Sequence, residues 1–276
     1  MINVFPKIPP PPLAQALHLA DQIDAHARRP GPEQQAVQAR QVEALLRHAR
    51  AHSPFWRARI DAIASADGAL RFDALAPLTR AELQSRFEDL RARTPEIAPR
   101  DLHVARTSGS TGRPVEVEQW RPMYDPLYRA ITLLEERWSG RPADATLAIL
   151  RDTPDRPPET IEHWDGTRRL RLVRNMIAHA PQDLLAWLRA SRPSDLLTTP
   201  AMVQRLAELA IADSAARPAI ARVYTFGEVV TPELRARARE AFGARIVDRY
   251  TCEELGWIAL QCPRHDHLHV LSSNVL

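Results

Sequence analysis

Short apolar stretches alternate with longer amphipathic ones from about residue 101 to residue 276, and this pattern constrains the fold more than any other feature of the sequence. Such alternation is typical of α/β folds, in which helices cover a parallel or mixed sheet. The candidate strands are Thr146–Leu150, Leu196–Thr199, Ala221–Phe226 and Arg245–Tyr250. The candidate helices are Met123–Trp138, Gln182–Ala190, Ala201–Ala210 and Thr231–Phe242. The proline-rich segment Thr153–Pro158 predicts a loop.

The first 100 residues follow a helical pattern instead. Leu, Ile, Val and Ala recur at three- and four-residue spacings in Leu13–Ala27 and Gln34–Ala51, so we expect two amphipathic helices there. The segment Ser53–Trp56 contains a proline and should end the second helix, and Thr79 should cap a short helix farther along the chain. The sequence therefore predicts a helical N-terminal region, residues 1–100, and an α/β part, residues 101–276.

Composition argues against several classes of protein. Hydrophobic residues make up 45% and charged residues 26% of the sequence, and no apolar run approaches the roughly 20 residues of a membrane-spanning helix. The net charge of +3 is spread over 37 basic and 34 acidic residues without basic blocks, which argues against nucleic-acid binding. Residues Met1–Pro12 lack the apolar stretch of a secretory signal, and the chain has only 2 cysteines, so we expect a cytoplasmic protein.

The segment Thr107–Pro114 has the composition of a phosphate-binding loop. It contains four hydroxyl side chains and two glycines, followed by Arg113. Glycines let backbone N–H groups approach an anion, hydroxyls add donors, and the arginine adds positive charge. The spacing and the missing lysine exclude the nucleotide-binding loop that ends in Gly-Lys-Ser/Thr. On composition alone, a flexible loop is the more common structure for such a segment.

Two further segments carry residues suited to nucleotide binding. One candidate strand leads through Gly227 and Glu228 into a candidate helix, and ligands of open α/β sheets bind at such junctions. The next candidate strand ends at Tyr250 and is followed by the acidic pair Glu253 and Glu254. A simple connection that needs glycine, and a solvated pair of acids, would fit the same residues when each segment is considered alone.

Together, the three segments resemble the motifs of adenylate-forming (AMP-binding) enzymes of the phenylacetate–coenzyme A ligase type, and the resemblance runs from about residue 53 to the end. It implies the fold of part of the large domain of these enzymes. It also implies that the loop holds the phosphates of ATP, while the Gly-Glu turn and the tyrosine hold adenosine. The implied cofactor-binding residues are Thr107, Ser108, Gly109, Ser110, Thr111, Gly112, Gly227, Glu228 and Tyr250. The implied catalytic residues are Arg113 and Glu254, of which Glu254 binds magnesium.

The sequence departs from the common family pattern at three positions. The family usually has lysine at the position of Arg113, a glycine at that of Thr251, and a serine or threonine at that of Glu253. Arginine preserves the positive charge but not the geometry of a lysine contact. The phosphate contact at Glu253 is the one that these differences put in question.

The resemblance implies a reaction in two steps. A carboxylic acid, expected to be aromatic, reacts with ATP to give an acyl-adenylate, and the acyl group then passes to coenzyme A or another thiol. Family members continue into a mobile C-terminal domain with a lysine that contacts the reacting groups, and this sequence contains no such part. We therefore expect impaired turnover unless a separate chain supplies that domain. A non-catalytic nucleotide-binding module is the alternative, and a homodimer is compatible with both.

One thiol and three imidazoles lie within Cys262–His269. Cys262 and His265 have Cys-x-x-His spacing, and the three histidines would share one face if the segment were extended. Zinc is the metal that such ligands favour, so Cys262, His265 and His269 are candidate zinc ligands. Because a structural zinc site needs four ligands, a loop and strand with solvent-exposed histidines is an equally good interpretation.

Overall fold

The computed structural model describes residues 12–64, 72–95, 97–107, 114–162, 168–213 and 217–273. The chain divides into two compact units. The first comprises Met1–Leu134, Cys252–Gly256 and Leu271–Leu276, and the second comprises Glu135–Thr251 and Trp257–Val270. The first unit thus continues past residue 100, where the sequence pattern changes from helical to α/β.

The first unit begins with helices, as the apolar spacing predicts. They are α1 (Pro12–Ala27), α2 (Gly31–His52), α3 (Pro54–Ile63), α4 (Arg80–Ser85) and α5 (Phe87–Leu90), with one-turn 3₁₀ segments at Phe72–Ala74 and Pro99–Asp101. Ala16, Leu19 and Ile23 form the buried face of α1. None of the helices in the described residues combines the length and apolarity needed to cross a bilayer.

Two helix starts show how local chemistry sets the boundaries. Ser53 ends α2 as expected. Its side chain also accepts a hydrogen bond from the Trp56 N–H, so the residue that ends α2 is at the same time the N-cap of α3. Thr79 caps α4 as predicted, because its hydroxyl accepts from the Glu82 N–H while the Glu82 carboxylate accepts from the Thr79 N–H. Hydrogen bonds that the Thr79 N–H and hydroxyl donate to the Glu82 carboxylate lower the pKa of that carboxyl.

An antiparallel hairpin follows the helices of the first unit. Its strands are β1 (Leu102–Arg106) and β2 (Glu116–Trp120), paired from Leu102 opposite Trp120 to Arg106 opposite Glu116. An ion pair of 2.7 Å joins Arg106 and Glu116 at the end of this hairpin next to the connecting segment. Neither strand was among the sequence-based candidates. The helix α6 (Arg121–Ser139) follows β2 and contributes residues to both units.

The second unit is built on a mixed sheet, which confirms the predicted α/β class. Its strands are β3 (Leu147–Arg151), β4 (Arg156–Glu162), β5 (Arg168–Asn175), β6 (Asp195–Thr198), β7 (Arg222–Thr225), β8 (Arg245–Cys252), β9 (Gly256–Gln261) and β10 (Leu268–Val270). The strand order is β10-β9-β8-β7-β6-β3-β5-β4. The strands from β5 across to β8 are parallel, whereas β4 is antiparallel to β5 and β10 to β9.

Three helices cover this sheet and form its main core. They are α7 (Pro181–Ser191), α8 (Pro200–Ala212) and α9 (Pro232–Phe242), each within two residues of its predicted bounds. Their buried faces include Leu188, Leu206 and Ala238, which belong to one apolar cluster with Leu196 and Val223 of the strands. The hydroxyl of Thr231 accepts from the Leu234 N–H and caps α9.

The predicted loop at Thr153–Pro158 is wrong in its second half, because β4 begins at Arg156. Proline lacks a backbone N–H and is tolerated in edge strands and at bulges. Both conditions hold here: β4 is at the end of the strand order, and its register shifts between Arg156 and Glu159. The prolines therefore mark an edge strand here.

Candidate functional site

The carboxyl ends of the parallel strands form the candidate ligand edge of the second unit. Strand β3 lies between β5 and β6, so the chain leaves β3 first towards one side of the sheet and then returns to the other. Open α/β sheets bind ligands outside the carboxyl ends of the strands at such a switch point. The segments that follow β3, β5, β6 and β7 are therefore the places to look for a site.

Gly227 and Glu228 form a fixed turn at this edge, after β7. Gly227 has φ 80°, a left-handed conformation that favours glycine. The Glu228 carboxylate accepts a hydrogen bond of 2.8 Å from the Ala201 N–H in the first turn of α8. A helix N-terminus attracts negative charge, so this contact anchors the turn. The structure thus orients the two residues expected at an adenine-binding turn.

Tyr250 lies near the end of β8, next to a residue whose side chain is fixed inside the protein. Its side chain is exposed, at 56%. The preceding residue, Arg249, forms a two-pronged ion pair with buried Glu135, and its guanidinium lies 5.0 Å from the ring centroids of Tyr224 and Trp257. Burial raises the pKa of Glu135, an effect that Arg249 opposes, and burial raises the pKa of Tyr224 to about 12. The exposed tyrosine therefore directly follows a residue whose side chain is fixed inside the protein.

The same edge carries a group of residues that the sequence analysis missed. Asp155, after β3, accepts from the Asn175 N–H at 2.7 Å and from the Arg174 guanidinium at 2.7 Å, and its carboxylate lies 2.8 Å from His179 Nε2. These contacts, with the Asn175 N–H the largest, hold the pKa of Asp155 well below its usual range. Asp155 could have been proposed from the sequence as a site residue, because it follows a predicted strand. His179 could not, because β5, the strand before it, was not predicted.

In the first unit, Thr107 closes the base of the predicted phosphate loop. Its backbone N–H donates to the Val115 carbonyl, and its hydroxyl accepts from the Val115 N–H, both at 2.9 Å. The other residues predicted here lie outside the described residues: Ser108, Gly109, Ser110, Thr111, Gly112 and Arg113. A cleft of about 320 Å³ lies beside this base, lined by Leu83, Gln84, Phe87, Arg106, Pro114 and Glu116.

The acidic turn that contains Glu254 also belongs to the first unit. Residues 253–255 connect β8 to β9, and both Glu253 and Glu254 are exposed. The Gln119 side chain of β2 donates to the Glu253 carbonyl at 2.9 Å, which ties this turn to the hairpin that carries Thr107. Exposed carboxylate oxygens are the hard ligands that magnesium prefers, so the donor chemistry of Glu254 fits a magnesium ligand.

Gly256 fixes the end of the same turn. It has φ 74°, and a Cβ atom there would lie 3.3 Å from the Tyr124 hydroxyl oxygen. Burial, and secondly the charge of Glu253, raises the pKa of Tyr124. Burial also raises the pKa of the Cys252 thiol. The turn therefore depends on glycine at this position both for its backbone conformation and for its contact with Tyr124.

The structure revises the predicted metal ligands. The ligand atoms of Cys262, His267 and His269 all lie within 4.8 Å of one another, whereas His265 is not part of this group. The segment is not extended throughout: Cys262 N–H donates to the His267 carbonyl at 2.8 Å, which closes a turn, and the strand begins only at Leu268. His265 instead stacks on His267, with ring centroids 5.7 Å apart. The segment is a turn and a short strand with three exposed histidines, so the extended conformation that would place all three on one face is not formed.

Comparison with known proteins gives a result for the fold only. No model of a known protein family and no curated protein matches the chain. Solved structures do match. A 2-hydroxyisobutyryl-CoA ligase in complex with 2-HIB-AMP and CoA, in the thioesterification state, has a TM-score of 0.65 and 20% identity over 95% of this chain and 57% of the ligase. The chain has the fold of the part of this ligase that it matches.

Two further structures of that ligase give the same result. The open conformation has a TM-score of 0.62 and 19% identity over 87% of this chain and 59% of the ligase. The postadenylation state with 2-HIB-AMP has a TM-score of 0.63 and 19% identity over 87% and 53%. The chain thus spans somewhat more than half the length of these ligases. The fold that the sequence resemblance implied is confirmed over the matched part of these ligases.

Proposed function

We propose that this chain is the nucleotide-binding part of a ligase that activates a carboxylic acid with ATP and transfers the acyl group to coenzyme A. The observation that carries the proposal is the turn at Gly227 and Glu228, fixed at the ligand edge of the sheet within a CoA-ligase fold. The printed ligand of the matched ligase, 2-HIB-AMP, supports an acyl-adenylate as the intermediate. Aromatic acids are the proposed substrates, on the basis of the sequence resemblance.

The proposed role of the second unit is to bind adenosine. Gly227 presents backbone groups in a conformation that other residues rarely adopt, and Glu228 keeps that turn in place through α8. Tyr250 offers an exposed ring on which a base can stack. Stacking of a base on an aromatic side chain contributes about 1–3 kcal/mol. Tyr250 is therefore the side chain whose removal should weaken nucleotide binding most directly.

The proposed role of the first unit is to bind phosphates. Thr107 to Thr111 and Arg113 provide hydroxyl, backbone and guanidinium donors, and Glu254 provides a carboxylate for magnesium. Magnesium, when bound, offsets the negative charge of the triphosphate. In the first step, a carboxylate oxygen of the acid bonds to the α-phosphorus as the bond to pyrophosphate breaks. In the second, the thiol sulfur bonds to the acyl carbon, AMP leaves, and the thiol proton is lost.

Binding of ATP and AMP to the purified chain, measured by calorimetry, tests the nucleotide half of the proposal. We expect Tyr250→Ala to raise the Kd about tenfold, because a tenfold change corresponds to about 1.4 kcal/mol of lost stacking. Tyr250→Phe retains the ring and should bind almost as the wild type does. Tyr128→Ala, which removes another exposed tyrosine, is the matched control. Absence of binding, or an equal loss in Tyr128→Ala, contradicts the adenosine role.

Release of pyrophosphate tests the catalytic half. The wild-type chain is assayed with ATP, magnesium, a panel of aryl acids, and 2-hydroxyisobutyrate as the reference acid. Release that depends on an aryl acid supports the ligase and its substrate class, whereas release with 2-hydroxyisobutyrate alone contradicts that class. Nucleotide binding without release from any acid supports a non-catalytic nucleotide-binding module.

A further inference from the structure

We propose that the turn between β9 and β10 is a zinc site whose ligands are Cys262, His267 and His269. The sulfur and ring nitrogens of these residues already lie within 4.8 Å of one another. Around one tetrahedral zinc ion, such atoms would be about 3.5 Å apart, given the usual bond lengths to sulfur and nitrogen. Small side-chain rotations therefore suffice to bring the three ligands onto one ion.

The turn is preformed by hydrogen bonds from neighbouring strands and helices. The Gln261 side chain donates to the carbonyls of His265 and His267, at 2.7 and 3.1 Å, and accepts from Arg235 at 2.9 Å. The Arg245 guanidinium donates to the Cys262 carbonyl at 2.7 Å. Such outer contacts hold metal ligands in position, so less ordering remains for the moment of binding.

The position of Cys262 suits a thiolate ligand. The residue is buried, with 4% exposed, and the backbone N–H of Arg264 points to its sulfur at 3.5 Å. An N–H donor two residues after the cysteine stabilises negative charge on sulfur. This contact distinguishes Cys262 from an ordinary buried cysteine, which would pack against apolar neighbours.

The two histidines approach Cys262 from β10. His269 lies in β10 and His267 directly precedes this strand, and their ring centroids are 4.8 Å apart. Leu268 pairs with Gln261 in the antiparallel register, and the Cys262 N–H donates to the His267 carbonyl at 2.8 Å, which brings these two residues together. Trp138 packs edge-on against His269, with centroids 5.6 Å apart, and limits its rotation.

The chemistry of these ligands selects the metal. One thiolate and two imidazoles favour zinc over magnesium or calcium, which prefer oxygen ligands. Three protein ligands leave a fourth coordination position for water or another donor. Strand β10 is short, Leu268–Val270, and lies at the end of the strand order. A metal that joins it to the end of β9 would therefore stabilise this edge of the sheet.

Zinc binding to the full chain, without nucleotide, tests the inference independently of the proposed ligase function. We expect one zinc ion per chain after desalting, and at least about tenfold weaker binding in Cys262→Ser and His269→Ala. His265→Ala is the matched control, because His265 belongs to the same turn but not to the ligand group. His48→Ala controls for adventitious binding by the neighbouring rings of His48 and His52 in α2, whose centroids are 4.6 Å apart.

Cobalt substitution gives a second readout that does not depend on affinity. Tetrahedral cobalt bound by a thiolate shows a sulfur-to-metal charge-transfer band, which we expect in the wild type and in His265→Ala but not in Cys262→Ser. Circular dichroism checks that each variant is folded. Three outcomes would overturn the site: no retained zinc, an equal loss in His265→Ala and His269→Ala, or loss of zinc only in His48→Ala.

Discussion

The two ends of the sheet in the second unit use charged residues in opposite ways. At the amino end, Asp195 is fully buried, and its carboxylate oxygens lie 2.9 and 2.7 Å from Arg141 and Arg222. Glu136 joins Arg141 and Arg169 in the same network. At the carboxyl end, charged groups such as Glu228 are exposed. Buried charges must stay paired for the fold to be stable, because loss of one partner leaves the other charge buried and uncompensated, whereas exposed charges at a strand end are available to a ligand.

The largest expected effect comes from breaking the amino-end network. Asp195→Asn removes the buried carboxylate that pairs with Arg222 and one of the two that pair with Arg141, and loss of one partner from a buried ion pair costs about 3–5 kcal/mol. We expect a loss of that size in the free energy of unfolding of the second unit, measured by urea denaturation. Asp155→Asn at the carboxyl end is the control and should change the urea midpoint far less. Equal effects of the two substitutions would remove the distinction between the two ends.

Two glycines, one at each end of the sheet, test the comparison between the two ends with a smaller expected effect on stability. Gly227 at the carboxyl end and Gly243 before β8 at the amino end have φ 80° and 71°, and a Cβ atom would meet nothing within 4 Å at either position. Alanine should therefore cost about 1 kcal/mol of stability at each through backbone strain. Only Gly227→Ala should also weaken nucleotide binding, measured by calorimetry. If Gly243→Ala weakened nucleotide binding as much as Gly227→Ala, the loss of binding would result from lower protein stability.

The smallest effect concerns pH at the carboxyl end. The pKa of Asp155 is lowered in the folded protein, so its contribution to stability is present above about pH 4 and is lost as the pH falls through the folded value. We expect the wild type to be slightly more stable than Asp155→Asn at neutral pH. The difference in their urea midpoints should shrink only below about pH 4. A difference that is constant with pH would show that Asp155 carries no paired charge.

Local patterns were sufficient to predict elements whose apolar residues are buried together. Strands β6 and β7 are short apolar runs between helical patterns, and both were predicted within one or two residues. Strand β5 was missed although Arg and Leu alternate along Arg169–Leu172, the pattern of a half-buried strand. The strands β1 and β2 are rich in polar residues and depend on their pairing with each other. That pairing spans the connection between the two strands, so the residue pattern within either strand does not predict it.

The candidate site, like the fold, could be predicted from the sequence only where local residue patterns decide the structure. Gly227 and Tyr250 could be proposed from their positions near strand ends, but the hydrogen bond from Ala201 to Glu228 depends on how two βα units lie side by side. The metal ligands show the limit most clearly. Spacing suggested His265, whereas the turn closed by Cys262 and His267 places His267 in the group instead. Backbone hydrogen bonds of a turn are set by tertiary contacts as well as by residue type.

The prolines of β4 bear on self-association. An open sheet edge with free N–H and C=O groups can recruit a strand from another molecule, which leads to unwanted oligomers or fibres. Pro157 and Pro158 each remove one donor from the edge strand, and the shift of register beside them disturbs the regular spacing of the remaining groups. Growth of the sheet by addition of a strand is thereby disfavoured at this edge, so copies of the chain that associate should do so through other surfaces.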